Sequence, residues 1–227
     1  MKPFTPTKLA LAISAQLALT AGMAPVALAQ GEAALEEVVI TGTRREARSV
    51  FDSAAPIDVI GGEDFRNQGG SDMSDLIRNV VPSYNVNSQP ISDAATVIRP
   101  ANMRGLAPDH TLVLVNGKRR HRASVITWLG NGVSDGAQGP DISVIPSIAL
   151  KQVEVLRDGA SAQYGSDAIA GVMNFILKDA PEGGTIEVKY GEYSEESESN
   201  YSIAGNIGVP ITDSGFFNAS FEYSEDD

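Results

Sequence analysis

The sequence predicts an α+β domain, a small mixed sheet with short helices, followed by a run of antiparallel strands. Three observations carry this. Gln152 to Leu156 and Val172 to Leu177 are two strand patterns on either side of a tightly punctuated turn. Met73, Leu76, Ile77 and Val80 fall at i, i+3, i+4 and i+7, the apolar stripe of a short helix. After Pro181 the pattern becomes a period-two alternation of apolar and polar residues.

Composition narrows the function. The 227 residues contain no Cys and carry a formal net charge of −12, which suits one domain with an appendage. Disulfides, thiolate metal sites and a Cys nucleophile are excluded. His110 and His121 are the only imidazoles, without a metal-ligand spacing, so no metal or cofactor is expected. Charge is unevenly spread: from Glu182 onward eleven acids face the single base Lys189, while Lys118, Arg119, Arg120 and Arg122 cluster around His121. Strong acidity argues against general nucleic-acid binding, and the basic cluster is short and lacks interleaved aromatics. Pairing with carboxylates on neighbouring strands is the reading preferred for it.

Lys2 and Lys8 precede the apolar run Leu9 to Leu19, and Ala27-Leu28-Ala29 then gives the small-x-small cleavage pattern of an export signal. A membrane anchor is the competing reading, but Ser14 and Gln16 interrupt a run already shorter than the roughly 20 residues a spanning helix needs. Removing Met1 to Ala29 takes away two bases and no acids, so the charge falls to −14. Leu35 to Thr43, LEEVVITGT, is next: a β-branched run too short for a core. It suits addition to the edge of a partner's sheet, where backbone hydrogen bonds give affinity, or an ordinary edge strand of the domain that follows.

Pro56 to Ile60 is a short strand, and Glu63 and Asp64 after Gly61-Gly62 place acids where a helix N-terminus favours them. Ser71 can cap the next helix, with Asp72 and Asp75 in its first turn and Pro82 stopping it. Its apolar stripe is read as core packing. Ser83 to Thr96 is a polar loop in which Tyr84, Asn85, Asn87 and Gln89 are candidates for exposure. Thr111 to Val115 is a buried strand, Asn116-Gly117 a hairpin turn, and Lys118 to His121 the return. If that turn marks one end of the sheet, Ala107 to Asp109 and the loop from Val125 to Pro140 lie at the other. That loop offers Trp128, Asn131, Asp135 and Gln138; Trp128 either stands exposed for recognition or tucks back to close the core.

In Gln152 to Leu156, Val153 and Val155 point one way and Glu154 the other, as in a half-buried strand. Arg157-Asp158-Gly159 breaks it, and Ala160 to Tyr164 allows about one helical turn before Gly165. The small residues from Asp167 to Gly171 let other backbone approach closely. Beyond Pro181, Ile186, Val188 and Tyr190 alternate with Glu187 and Lys189, and Tyr201, Ile203, Ile207 and Val209 with Ser202, Ala204, Asn206 and Gly208. Phe217, Ala219, Phe221 and Tyr223 do so against Asn218, Ser220 and Glu222. Taken alone, this suits a soluble antiparallel sheet as well as lipid-facing barrel strands.

VEVLRDGASAQYGSDAIAGVMNFILK resembles the end of the plug domain of TonB-dependent outer-membrane receptors, and DLIRNVVP and MRGLAPDHTLVLVNGKRRH are similar to the family's plug helix and plug strands. The motif positions are Arg104, Gly105, Asn116, Gly117, Arg157, Gly159, Tyr164, Gly165 and Gly171. The resemblance implies a signal peptide over 1–29, an extended segment with the TonB box over 30–44, a plug over 45–180 and the first strands of a truncated transmembrane β-barrel over 181–227. Glu37, Val38, Val39, Ile40 and Thr41 are then the contacts for TonB, the inner-membrane energy transducer. Plug loops bearing Asn87, Asp109, Trp128, Asn131 and Asp135 are candidates to meet a ligand such as a siderophore or other large nutrient. Few residues precede the box, which disfavours an extra signalling domain. Three strands cannot close a barrel, and plugged transporters use about 22, so a fragment is expected, with lipid around it and the cell outer membrane as its place. Transport without bond chemistry is implied. The rival is an exported soluble binding domain or enzyme, for which Ser161 and Ser166 lack a nucleophile-elbow motif.

Overall fold

The computed structural model describes residues 38–39, 48–49, 56–68, 72–86, 98, 100–126, 135–192, 199–212 and 215–226. The expected signal peptide lies outside them, as do Glu37, Ile40, Thr41, Ser71, Asn87, Gln89, Trp128 and Asn131. The described residues belong to the compact unit Glu37–Asp227. Its first strands, β1 (Val38–Val39) and β2 (Arg48–Ser49), pair antiparallel with each other, apart from the main sheet.

β3 (Ile57–Gly61) runs straight into α1 (Gly62–Arg66), where the Asp64 carboxylate accepts from the Gly61 N–H at 3.1 Å. Gly62 is required there: a Cβ would lie 2.1 Å from the Leu150 carbonyl oxygen. α2 (Met73–Val80) is capped by Asp72, one residue beyond the expected Ser71, because the Asp72 carboxylate accepts from the N–H groups of Ser74 and Asp75 at 2.8 and 3.2 Å. Met73, Leu76 and Ile77 are buried as the stripe predicts, but Val80 is 37% exposed. The helix ends there, and Val81, fully buried, takes the core position instead.

β4 (Tyr84–Asn85) pairs with β5 (Asn102–Met103), which corrects the reading of Tyr84 as an exposed loop residue: it is buried opposite Met103. A 3₁₀ turn, Pro108–His110, leads to β6 (Thr111–Val115) and, through Asn116-Gly117, to β7 (Lys118–Arg119). A second 3₁₀ turn, Ser147–Ala149, opens β8 (Leu150–Leu156). One helical turn, α3 (Ser161–Tyr164), and a third 3₁₀ turn, Ser166–Ala168, precede β9 (Gly171–Leu177). The five-stranded sheet has the order β3-β8-β9-β6-β7, parallel only between β6 and β9.

This sheet is sealed on both faces, which overturns the half-buried reading of β8. Val153 and Val155 join Phe65, Met73, Ile77, Val113 and Phe175 in the larger core. On the other face Leu156, Val172, Leu112 and Leu114 pack under Ala168, with Tyr164 and Ala160 beside them. Glu154 shares that second face and is fully buried. Its carboxyl group accepts from Gln152 Nε2 at 3.1 Å and Asn174 Nδ2 at 3.2 Å, so a polar group placed inside the protein meets hydrogen-bond donors.

β10 (Gly183–Glu192), β11 (Ser199–Thr212) and β12 (Gly215–Asp226) form a separate antiparallel sheet. Register places Glu187 beside Ala204 and Ala204 beside Glu222, on one face; Ile186, Gly205 and Phe221 align on the other. The first face is covered and polar, with Ser202, Ala204 and Asn206 buried and Asn206 Nδ2 donating to Asn218 Oδ1 at 2.7 Å. The second is apolar and open: Ile186, Val188 and Tyr190 are 80%, 70% and 71% exposed.

Candidate functional site

The positions singled out by the resemblance act on the backbone first. Asn116 and Gly117 adopt φ of 48° and 74°, the left-handed pair a two-residue hairpin needs. The turn is then fixed on β9: Gly117 N–H donates to Asn174 Oδ1 at 3.0 Å, and Leu177 N–H to Asn116 Oδ1 at 2.9 Å. Asn174 thus links the hairpin to buried Glu154. Arg104 is one of two described non-glycine residues with positive φ, at 57°, and Gly105 follows at 70°. The Arg104 guanidinium stands 3.7 Å from Asp158, while Arg157 grips Asp58 with Nε at 2.7 Å and a second nitrogen at 2.9 Å, closing β8 onto β3.

Gly165, at φ 103°, ends α3. Gly171 has φ 153° and no room for a side chain, since a Cβ would lie 2.4 Å from the Leu156 carbonyl oxygen and 2.5 Å from Met103 Sδ. Gly159 lies close to the Ile169 carbonyl. The basic cluster is partly neutralised within the same body: Arg119 pairs with Asp167 and donates to the Tyr164 carbonyl, and Arg122 lies 3.9 Å from Asp109. Burial pushes the Tyr84 hydroxyl up to about 12, and desolvation holds the Lys178 amine below its ordinary value.

Of the loop residues expected to meet a ligand, Asp109 and Asp135 are described. Asp109 accepts from the Gln138 N–H at 3.1 Å, which ties the start of β6 to the end of the long loop, and Asp135 sits in an exposed turn. An open pocket of about 240 Å³ at this end is lined by Asp109, Thr111, Arg120, His121, Arg122 and Gln138, among others. Sequence reasoning missed Thr111, whose hydroxyl is buried without a hydrogen-bond partner, because its strand reads as wholly structural.

The wall strands supply the second half. Tyr201 and Tyr223 lie on the open face with ring centroids 6.0 Å apart, and both hydroxyls donate to Glu225 Oε2, at 2.6 and 3.0 Å. Phe216 and Phe217 are exposed near the opposite end. The apolar face carried by residues 201–209 of β11, with Tyr201 and Tyr223 at one end and Phe217 at the other, fits the roughly 9–11 residues with which a tilted strand crosses a bilayer. No helix among the described residues is long and apolar enough to cross a membrane, which leaves strand crossing untouched.

Residues 49–172 match the family model described as the TonB-dependent receptor plug domain. The ferric enterobactin receptor PirA of Pseudomonas aeruginosa is 31% identical over 193 residues, 82% of this chain and 25% of that protein. The iron-regulated outer membrane virulence protein of Vibrio cholerae is 26% identical over 220 residues, 93% of this chain and 31% of its own length. The crystal structure of the siderophore receptor PirA from Acinetobacter baumannii superposes with a TM-score of 0.60 at 28% identity, covering 78% of this chain and 25% of that one. The chain thus spans about a quarter of the length of such relatives. Matched over more than half its residues, including every described motif position, the chain belongs to the TonB-dependent receptor plug domain family.

Proposed function

We propose that the protein is the gating part of an energy-coupled receptor of the cell outer membrane, which takes up a scarce ligand too large for open pores. The observation that carries this is a sheet sealed on both faces beside wall strands that turn their polar face inward and their apolar face out. Such a body obstructs a lumen while the wall meets lipid. The ligand class is the siderophores, in keeping with the relatives named as ferric enterobactin receptors. Asp109 and Asp135 supply contacts, with Asn87, Trp128 and Asn131 as further candidates. The division is a signal peptide over 1–29, a coupling segment over 30–44, the plug over 45–180 and wall strands over 181–227.

Glu37 to Thr41 are the contacts for TonB. Val38 and Val39 pair with Arg48 and Ser49 apart from the main sheet, a pairing that can be exchanged for a strand of the partner. Val39→Pro removes a backbone donor from that segment. In whole cells, uptake of radiolabelled ferric enterobactin should fall to the level of de-energised cells while surface binding is kept. Uptake at the wild-type rate would sink the coupling role, and no surface binding in the wild type would sink the ligand class.

A further inference from the structure

Glu222 lies on the inward face of β12, across from Ala204. Its Oε2 accepts from both the N–H and the hydroxyl of Ser147, at 3.1 and 3.2 Å. Ser147 is buried and opens the 3₁₀ turn Ser147–Ala149, which packs against both β11 and β12. The same turn is held hard from the plug side. Lys178 N–H donates to the Ala149 carbonyl at 2.9 Å, and α1 presses so closely on the turn's end that Gly62 has no space for a Cβ. α1 is continuous with β3, the strand by which the chain enters the main sheet from its N-terminal segment.

The contact of Glu222 with Ser147 is one side-chain tie between wall and plug; another runs from Asn218 Nδ2 to the Ala180 carbonyl at 3.1 Å, where the plug ends. Beside the Glu222 contact lies an open crevice of about 290 Å³ lined by Val144, Pro146, Lys178, Asn218 and Ser220, among others. A two-pronged bond to a carboxylate at the edge of a crevice is a strong, local fastener.

We propose that Glu222 is a positioning residue, the wall-side anchor of the plug: it fixes the Ser147–Ala149 turn, and through α1 it fixes β3. Load entering at the N-terminal segment is resisted there, and release of this contact is the step that frees the β3–α1 corner. The role rests on the gated-uptake reading, but its test does not use ligand or energy.

The test is hydrogen exchange of the native receptor in outer-membrane vesicles, followed in peptides covering 143–150 and, for reference, 171–177. Glu222→Ala should speed exchange in the first peptide by about ten- to a hundredfold, the range a lost charge-assisted bond implies, and leave the second unchanged. Glu222→Gln, which keeps an acceptor oxygen, should restore most of the protection. Unchanged exchange over 143–150, or an equal rise in both peptides, would overturn the anchor. If Glu222→Ala does not assemble, Ser147→Ala removes one of the two donors and leaves the wall residue intact. Faster exchange confined to 143–150 is then expected, and wild-type exchange would overturn the role. Because exchange is read without transport, an anchor that holds while ferric enterobactin uptake fails would cost only the transport reading.

Discussion

Along β8, Val153, Glu154 and Val155 are all fully buried, whereas along β11 neighbours differ: Ile203 is 41% exposed between Ser202 at 8% and Ala204 at 6%. The first pattern belongs to a sheet covered on both faces, where even a carboxylate must be given donors. The second inverts the rule of soluble sheets, because the covered face is polar and the open face carries Ile, Val, Tyr and Phe. An apolar surface of that extent is rare on a soluble monomer and ordinary for a wall facing lipid. The two sheets were therefore built for different surroundings, and substitutions should separate them.

The largest contrast is between two phenylalanines. Phe175→Ala empties a close-packed site in the plug and should cost about 3–5 kcal/mol, transfer and cavity terms together. Phe221→Ala faces the open side, over Gly205, where lipid fills the space, so only the transfer term of about 2 kcal/mol is expected. Urea titration of the membrane-embedded protein, read by exchange in each sheet, gives both values. Equal costs would make the sheets equivalent. Next, Ile203→Arg should destabilise the assembled wall by about 2 kcal/mol, whereas a soluble sheet would accept it with less than about 0.5 kcal/mol of change. The assembled fraction on gels run without boiling reports it. The smallest effect is local to the plug: Asp72→Ala removes the α2 cap and should cost about 1 kcal/mol without touching the wall.

Much of this was legible in the sequence. The Met73, Leu76, Ile77 stripe, the Asn116-Gly117 hairpin and the alternation after Pro181 depend on local geometry, and the chain forms them where their periodicities fall. What escaped depends on partners distant in sequence. Tyr84 is buried because β5 comes back to pair with it, and Glu154 because Asn174 and the small residues around Ala168 close the second face. Alternation also could not say which face of the wall turns inward. Register and burial decide that. In the candidate site, Arg157 and Gly171 are local features, while the link from Asp109 to Gln138 arises only when the long loop returns.

These 227 residues contain no Cys, so a single cysteine introduced among them marks one place on the wall. Single cysteines placed in turn at 202, 203 and 204, labelled with a fluorophore in native-like vesicles, can be tested with a quencher fixed in the acyl chains. The account predicts strong quenching at 203 and little at 202 and 204, with the same alternation at 187, 188 and 189. Equal quenching along the strand, or quenching at 202 and 204 instead, would contradict a wall that turns its apolar face to lipid and its polar face to the plug.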